Sequence, residues 1–165
     1  MLDDTGYPPG PPRPLRRVGR AVARHNLRLL EAMLMLAIAH VIAARPMKKQ
    51  ALALGKYGCE TPTKLDPAHL GRARRITSAV IAVAKISPRS VCIQQTIAAQ
   101  LSLRLRGLPA TAYIGVHRNP AQRSADPRGY NAHVWLRVGD RVLIGGPRVS
   151  MYVPLASFAP AAGEH

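Results

Sequence analysis

The sequence predicts an α+β fold in which N-terminal helices pack on a small antiparallel sheet. Three observations carry this reading. Apolar residues recur at helical spacing in three segments up to Gly107, and after Gly107 they alternate instead. Gly139-Asp140 then sits between two alternating runs, a two-residue hairpin signal. With 165 residues, the chain is long enough for one domain whose core needs neither disulfides nor metal.

Residues 1–19 are rich in proline and arginine and read as a flexible tail. A long helix follows over 20–44, with Leu27, Leu30, Leu34, Ile38, Val41 and Ile42 at helical spacing and Pro46 marking its exit. Met33, Met35, Leu36 and Ala37 make its other faces apolar too, so it is read as a core helix, with a partner-docking helix as the alternative. The apolar run at 29–44 contains Glu31 and His40 and falls short of the ~20 residues that a membrane span requires. Residues 47–65, with Gly55, Gly58 and Pro62, read as a loop-like connection. Asp66-Pro67 has the form of a helix start, Asp as N-cap and Pro in the first turn. That second helix runs to about Ala84 and is broken by Pro88. Ser90 is the expected cap of a third helix over 91–106, with Ile93, Ile97, Leu101 and Leu105 as its buried stripe and Gly107 as its stop. Thr111–Val116 is the first strand, 117–130 a polar loop long enough to act as a flap, and Ala132–Val138 and Arg141–Ile144 the hairpin. From Pro154 onward structure signals are poor. The domain reading is therefore tail 1–19, helical segment 20–60 and main core 61–165, with 20–165 as one compact unit.

Charge restricts the partners. Lys and Arg number 24 against 8 Asp and Glu, a net charge of +16. Such a chain favours an acidic polypeptide, a nucleic acid or an anionic lipid surface, which leaves peripheral membrane association open. Few aromatics and no zinc-finger, phosphate-loop or RNA-binding signature argue against nucleic acid. Cys59 and Cys92 have no paired Cys or His at metal-ligand spacing, so neither a metal nor a cofactor is expected. The acidic, proline-rich N-terminus is the reverse of a secretory signal, which makes the cytoplasm the expected location.

One constellation points to chemistry. Cys92 lies at the start of the third helix, where unpaired N–H groups and the helix dipole lower a thiol's pKa and offer donors to an oxyanion. Alternation in the strand AHVWLRV puts Ala132, Val134, Leu136 and Val138 on the core face and His133, Trp135 and Arg137 on the other. His133 is therefore the candidate base, with His117 in the preceding 117–130 loop next in line. Cys59 lacks a helix start to activate it. Each residue alone is more often structural; together they suit thiol acyl transfer. With Gly139-Asp140 as the turn, Val138 pairs with Arg141 and His133 falls opposite Gly146. Gly145 and Gly146 thus occupy the place of an orienting carboxylate, and Asp140 is about 20 Å away at ~3.3 Å per residue. Asn131 is the nearest substitute, and the third residue stays unknown. Trp135 and Gln95 are expected to line the substrate site.

The stretch RARRITSAVIAVAKISPRSVCIQQTIAAQLSLRLRGLPATAYIGVHRNP, followed by NAHVWLRVGDRVLIGG, resembles the leader peptidases of lasso-peptide biosynthesis, transglutaminase-like cysteine proteases with a papain-like core. The preceding LLEAMLMLAIAHVIAARPMKK is similar to their apolar N-terminal helix, so the resemblance spans about 25–158. It implies a bacterial, cytoplasmic hydrolase that removes the leader from a ribosomally made precursor, with Cys92 as nucleophile and His133 as base. It also implies three partners: the precursor peptide, a separate leader-binding recognition protein and an asparagine-synthetase-like cyclase. The alternatives are another transglutaminase-like acyl transfer or amidase reaction, and a non-catalytic basic adaptor that binds an acidic chain or nucleic acid.

Overall fold

The computed structural model describes residues 15–87, 91–119, 121 and 132–160, the stretch 15–24 by its backbone alone. Four helices, α1 (Leu15–Ala43), α2 (Met47–Leu54), α3 (Pro67–Ile86) and α4 (Cys92–Arg104), pack on an antiparallel sheet. Its strands are β1 (Lys56–Tyr57), β2 (Thr111–His117), β3 (Ala132–Val138), β4 (Arg141–Ile144) and β5 (Tyr152–Ala159), in the order β1-β5-β2-β3-β4. A short 3-10 turn, Pro147–Met151, leads into β5. This is the expected α+β architecture. Residues 1–14 of the expected tail and most of the expected flap, with Pro88, Ser90 and Asn131, lie outside the described residues. Residues 15–19, expected as tail, are instead the first residues of α1, which starts five residues before the expected helix.

The helix α4 is the centre. Ile97, Ala98, Ala99 and Leu103 are fully buried, and so are Thr96 and Gln100, because α1, α2 and α3 cover one side and β3 the other. The expected stripe holds for Ile97, but Leu105 is 69% exposed. It forms the C-cap just past the last helical turn, where the helix no longer lies under its neighbours. Gln100 anchors α4 by donating from Nε2 to the Leu54 carbonyl at 2.9 Å and to the Ala110 carbonyl at 3.3 Å. Gln100→Met keeps the volume and orphans these acceptors, so chemical denaturation should report a loss of ~1–3 kcal/mol. The α3 start is as expected: Asp66 accepts from the Ala68 N–H at 2.6 Å, with Pro67 as the first helical residue.

Three expectations are corrected by the packing. The connection 47–65 is not loop throughout; it forms α2 and β1, held because Leu54 is fully buried and Lys56 and Tyr57 pair with Ala159 and Phe158. The C-terminal segment is a strand. Pro154 is tolerated there because β1 pairs only with Phe158 and Ala159, leaving β5 as an edge at Pro154. The third correction concerns α1, which buries Ala32, Leu36 and Ala39. Small residues there let α3 and α4 approach closely, while the larger Leu27 (66%), Leu30 (61%), Leu34 (58%) and Val41 (59%) remain exposed.

By length and composition, His25–Ala43 of α1 could cross a membrane, a longer stretch than the apolar run alone suggests. In the fold it is tied to the domain. Arg106 Nη1 donates to Glu31 Oε1 at 2.6 Å, and a second guanidinium nitrogen holds the other carboxylate oxygen.

Candidate active site

The thiol is placed by a helix start and a gap in a sheet. Val91 adopts an extended conformation and is the N-cap of α4; the expected cap, Ser90, is outside the described residues. Valine has no capping oxygen, so the closing bond comes from the other direction: the Val91 N–H donates to Gln94 Oε1 at 3.0 Å. Cys92 is then the first helical residue, half-buried and with no disulfide partner.

The gap is made by glycine. At the hairpin, Val138 pairs with Arg141 and Arg137 with Val142, as the two-residue turn dictates. A bulge follows, so Leu136 pairs with Ile144 and the simple register extrapolation from the turn fails by one residue before it reaches His133. Gly145 (φ +114°) and Gly146 (φ +71°) then peel the chain off β3. The β3 edge beyond Leu136 is left unpaired by β4, and the α4 N-terminus fills that place: the Val134 N–H hydrogen-bonds the Cys92 sulfur, as does the Ile93 N–H.

His133 completes the arrangement. Its Nε2 lies 2.9 Å from the Gly145 carbonyl oxygen. A carbonyl only accepts, so Nε2 carries the proton and Nδ1 is the nitrogen left for the thiol, with which the ring is hydrogen-bonded. The orienting partner is thus a backbone carbonyl. The sequence points to positions 145 and 146 as the place for this partner, but a search for a carboxylate side chain passes over it. Gly145 is required on two counts: φ is positive, and a Cβ would lie 2.4 Å from Trp135 Cβ. Asn131 is outside the described residues, and Asp140 sits in the hairpin turn, 3.5 Å from Arg141 Nε.

Aromatic rings wall the imidazole. Tyr152 lies 4.8 Å from the His133 ring, and Trp135 6.2 Å. Trp135 does not line the cleft as expected: it is 5% exposed, stacked on Tyr113 at 5.5 Å. The small Gly115 makes that possible, since a Cβ there would come within 2.8 Å of the indole. His117 is not in a loop; it ends β2, is buried, and meets the edge of Tyr152 at 5.3 Å. Tyr152 gave no sequence signal, because its strand lies in the segment without clear alternation.

Burial pushes the Cys92 thiol up. The His133 hydrogen bond, the Val134 N–H, the positive imidazole and the Ile93 N–H outweigh it, leaving the thiol below its ordinary range. The hydrogen bond to Cys92 raises the His133 pKa; burial opposes that, and the Gly145 carbonyl and the thiolate charge reinforce it. Both shifts favour a thiolate–imidazolium pair that titrates as a unit. Iodoacetamide alkylation of Cys92, which needs only the thiolate, should therefore rise with pH through a midpoint below that of a free cysteine. In His133→Ala the midpoint should move up, because burial stays while the hydrogen bond and charge go. Mass-spectrometric labelling rates across a pH series check both.

The cleft beside this pair holds about 400 Å³ and is lined by Cys92, Gln95, His133, Gly145 and Gly146, with Ile81, Val91, Val142 and Leu143. Gln95 is where the sequence places it; the four aliphatic residues were not anticipated. Cys59 lies outside the cleft, in the loop where Glu60 accepts from Tyr113 and Arg137. A larger hollow of about 530 Å³, lined by Arg28, Arg74 and Arg75 between α1 and α3, contains neither cysteine.

A family model described as transglutaminase-like superfamily matches residues 35–157. No curated protein matches the chain, and no solved structure does.

Proposed function

Because the chain belongs to the transglutaminase-like superfamily, whose members are typically cysteine peptidases or acyl transferases, we propose that it is a cysteine peptidase acting through a thioester on Cys92. The observation that carries this reading is the Cys92–His133 hydrogen bond at a helix N-terminus, with the far ring nitrogen held by Gly145. The Cys92 thiolate attacks a peptide carbonyl carbon, and the oxyanion forms beside the first-turn N–H groups of α4. His133 gives its proton to the departing amine, leaving a thioester. His133 then takes a proton from water, the hydroxide attacks the thioester, and the acid leaves as the thiolate and imidazolium are restored.

The substrate of this reading is a lasso-peptide precursor, from which the enzyme removes the leader in the cytoplasm. The resemblance of about residues 25–158 to leader peptidases supports it. A separate leader-binding protein presents the precursor, and an asparagine-synthetase-like cyclase consumes the freed core. The exposed aliphatic stripe of α1 and the net charge of +16 suit an acidic partner that is both steered and anchored.

The test is cleavage of a leader–core precursor, followed by mass spectrometry, with and without the leader-binding protein at low and high salt. Slow cleavage by the protein alone and strong stimulation by the partner are expected. Part of the stimulation should fade with salt, since exposed charges are screened over ~8 Å at physiological ionic strength. Equal rates in all four conditions would refute the partner. Transfer of the acyl group to an added amine in preference to water would make the enzyme a transferase.

A further inference from the structure

The cleft beside Cys92 is bordered by an unpaired strand edge. β4 is the last strand of the sheet, with no strand beyond it among the described residues. Val138 and Arg141 flank a two-residue turn and form a hydrogen-bonded pair, so the next pair, Arg137 and Val142, is non-hydrogen-bonded. The N–H and carbonyl of Val142 therefore point away from β3, along the free edge. The same edge residues, Val142 and Leu143, line the cleft that contains Cys92 and His133, opposite Ile81 of α3 and Val91. Val142 is 43% exposed and Val91 49%. Among the described residues, no ionisable side chain other than Cys92 and His133 lines the cleft. At Gly146, an added Cβ would meet none of the described residues within 4 Å.

We propose that this cleft binds its substrate as an extended peptide that adds a strand to the free edge of β4 and seats an aliphatic side chain, close to the reacting carbonyl, among Ile81, Val91, Val142 and Leu143. The proposal rests on Cys92 being the nucleophile of a peptide-acting enzyme and adds how the peptide is held. Main-chain hydrogen bonds at Val142 give register to a chain of any sequence, and the aliphatic wall supplies the choice of side chain. Among the described residues, this wall offers an acidic or basic side chain no partner to offset its desolvation, so selection against charge is part of the same geometry. The glycine pair sets where the strand must end: it turns the chain off the sheet beside the imidazole, so a peptide aligned along β4 reaches Cys92 at that point.

The probes are two series of thiol-alkylating reagents: dipeptidyl chloromethyl ketones, which extend on the acyl side, and chloroacetyl dipeptides, which extend on the other. In both, the thiolate displaces chloride and forms a thioether, so no natural substrate is needed. Rates at Cys92 are expressed relative to iodoacetamide, which has no peptide part. In at least one series, Leu-Leu reagents should react at least ~10-fold faster, on this scale, than Asp-Asp reagents. N-methylation at one of the reagent's amides should remove the advantage. Val142→Pro removes the outward N–H without touching a β3–β4 hydrogen bond, and should reduce the same ratio by a similar factor. The N-methyl comparison uses the unaltered protein and does not depend on that variant folding. A Cys92 that reacts readily with iodoacetamide but shows equal ratios for Leu-Leu, Asp-Asp and N-methylated reagents in both series overturns the strand-addition mode and leaves the nucleophile standing. A Cys92 no more reactive to iodoacetamide than Cys59 overturns the nucleophile itself.

Discussion

Cys92→Ala should reduce peptide cleavage to background, whereas Cys59→Ala should retain most of it. Only Cys92 sits in the first turn of a helix, takes N–H donors from Val134 and Ile93, and shares a hydrogen bond with His133. No other group can form the thioester, so the loss is of the reaction path and not of a fraction of its rate. His133→Ala should cost at least ~10²-fold in kcat, the usual scale for a general acid–base. Precursor cleavage by the three variants, followed by mass spectrometry, checks the assignment. Activity in Cys92→Ala, or loss of it in Cys59→Ala, overturns it.

Gly145→Ala should be nearly as damaging, although it removes no side chain. Its φ of +114° is strained for alanine, and the new Cβ would lie 2.4 Å from Trp135 Cβ and 3.1 Å from Trp135 Cα. The backbone must move, and with it the carbonyl that holds His133 Nε2. A displacement of about 1 Å at a catalytic group costs on the order of 10²-fold. The pH profile separates this from general loss of structure. The Gly145 carbonyl is one of the groups that raise the His133 pKa, so its removal should shift the high-pH limb, where imidazolium is lost, to lower pH. Gly146→Ala is the comparison: φ is +71° but the added Cβ meets none of the described residues within 4 Å, so strain of ~1–3 kcal/mol should appear in melting more than in turnover. An unmoved pH profile in Gly145→Ala would deny the carbonyl its positioning role.

Within the fold, what the sequence reveals follows the range of the forces involved. The α3 start is local chemistry, an Asp side chain on an N–H two residues away, and it can be read from two letters. The hairpin at Gly139-Asp140 is equally local, and its first two pairs follow from turn geometry. The bulge one pair further on is not, because it answers to the packing of β3 and β4 as a whole. The face of α1 that turns inward is likewise decided elsewhere. Its apolar residues surround the helix, so periodicity alone points to no one side, and the small Ala32 and Ala39 are chosen by close approach to α3 and α4. Trp135 alternates with the core residues of its strand and is buried nonetheless, because Gly115 and Gly145 leave space for it.

By itself the sequence determines the α+β class, the helix start that activates Cys92 and the strand that carries His133, because capping, periodicity and turn chemistry act over a few residues. It also marks Gly145-Gly146 as the position facing the imidazole. That the two residues meet, that a backbone carbonyl stands where a carboxylate is sought, and that the cleft runs along the edge of β4 are decided only by the tertiary structure. Each of these depends on where main-chain groups from distant segments come to rest, and a main-chain group has no letter of its own in the sequence.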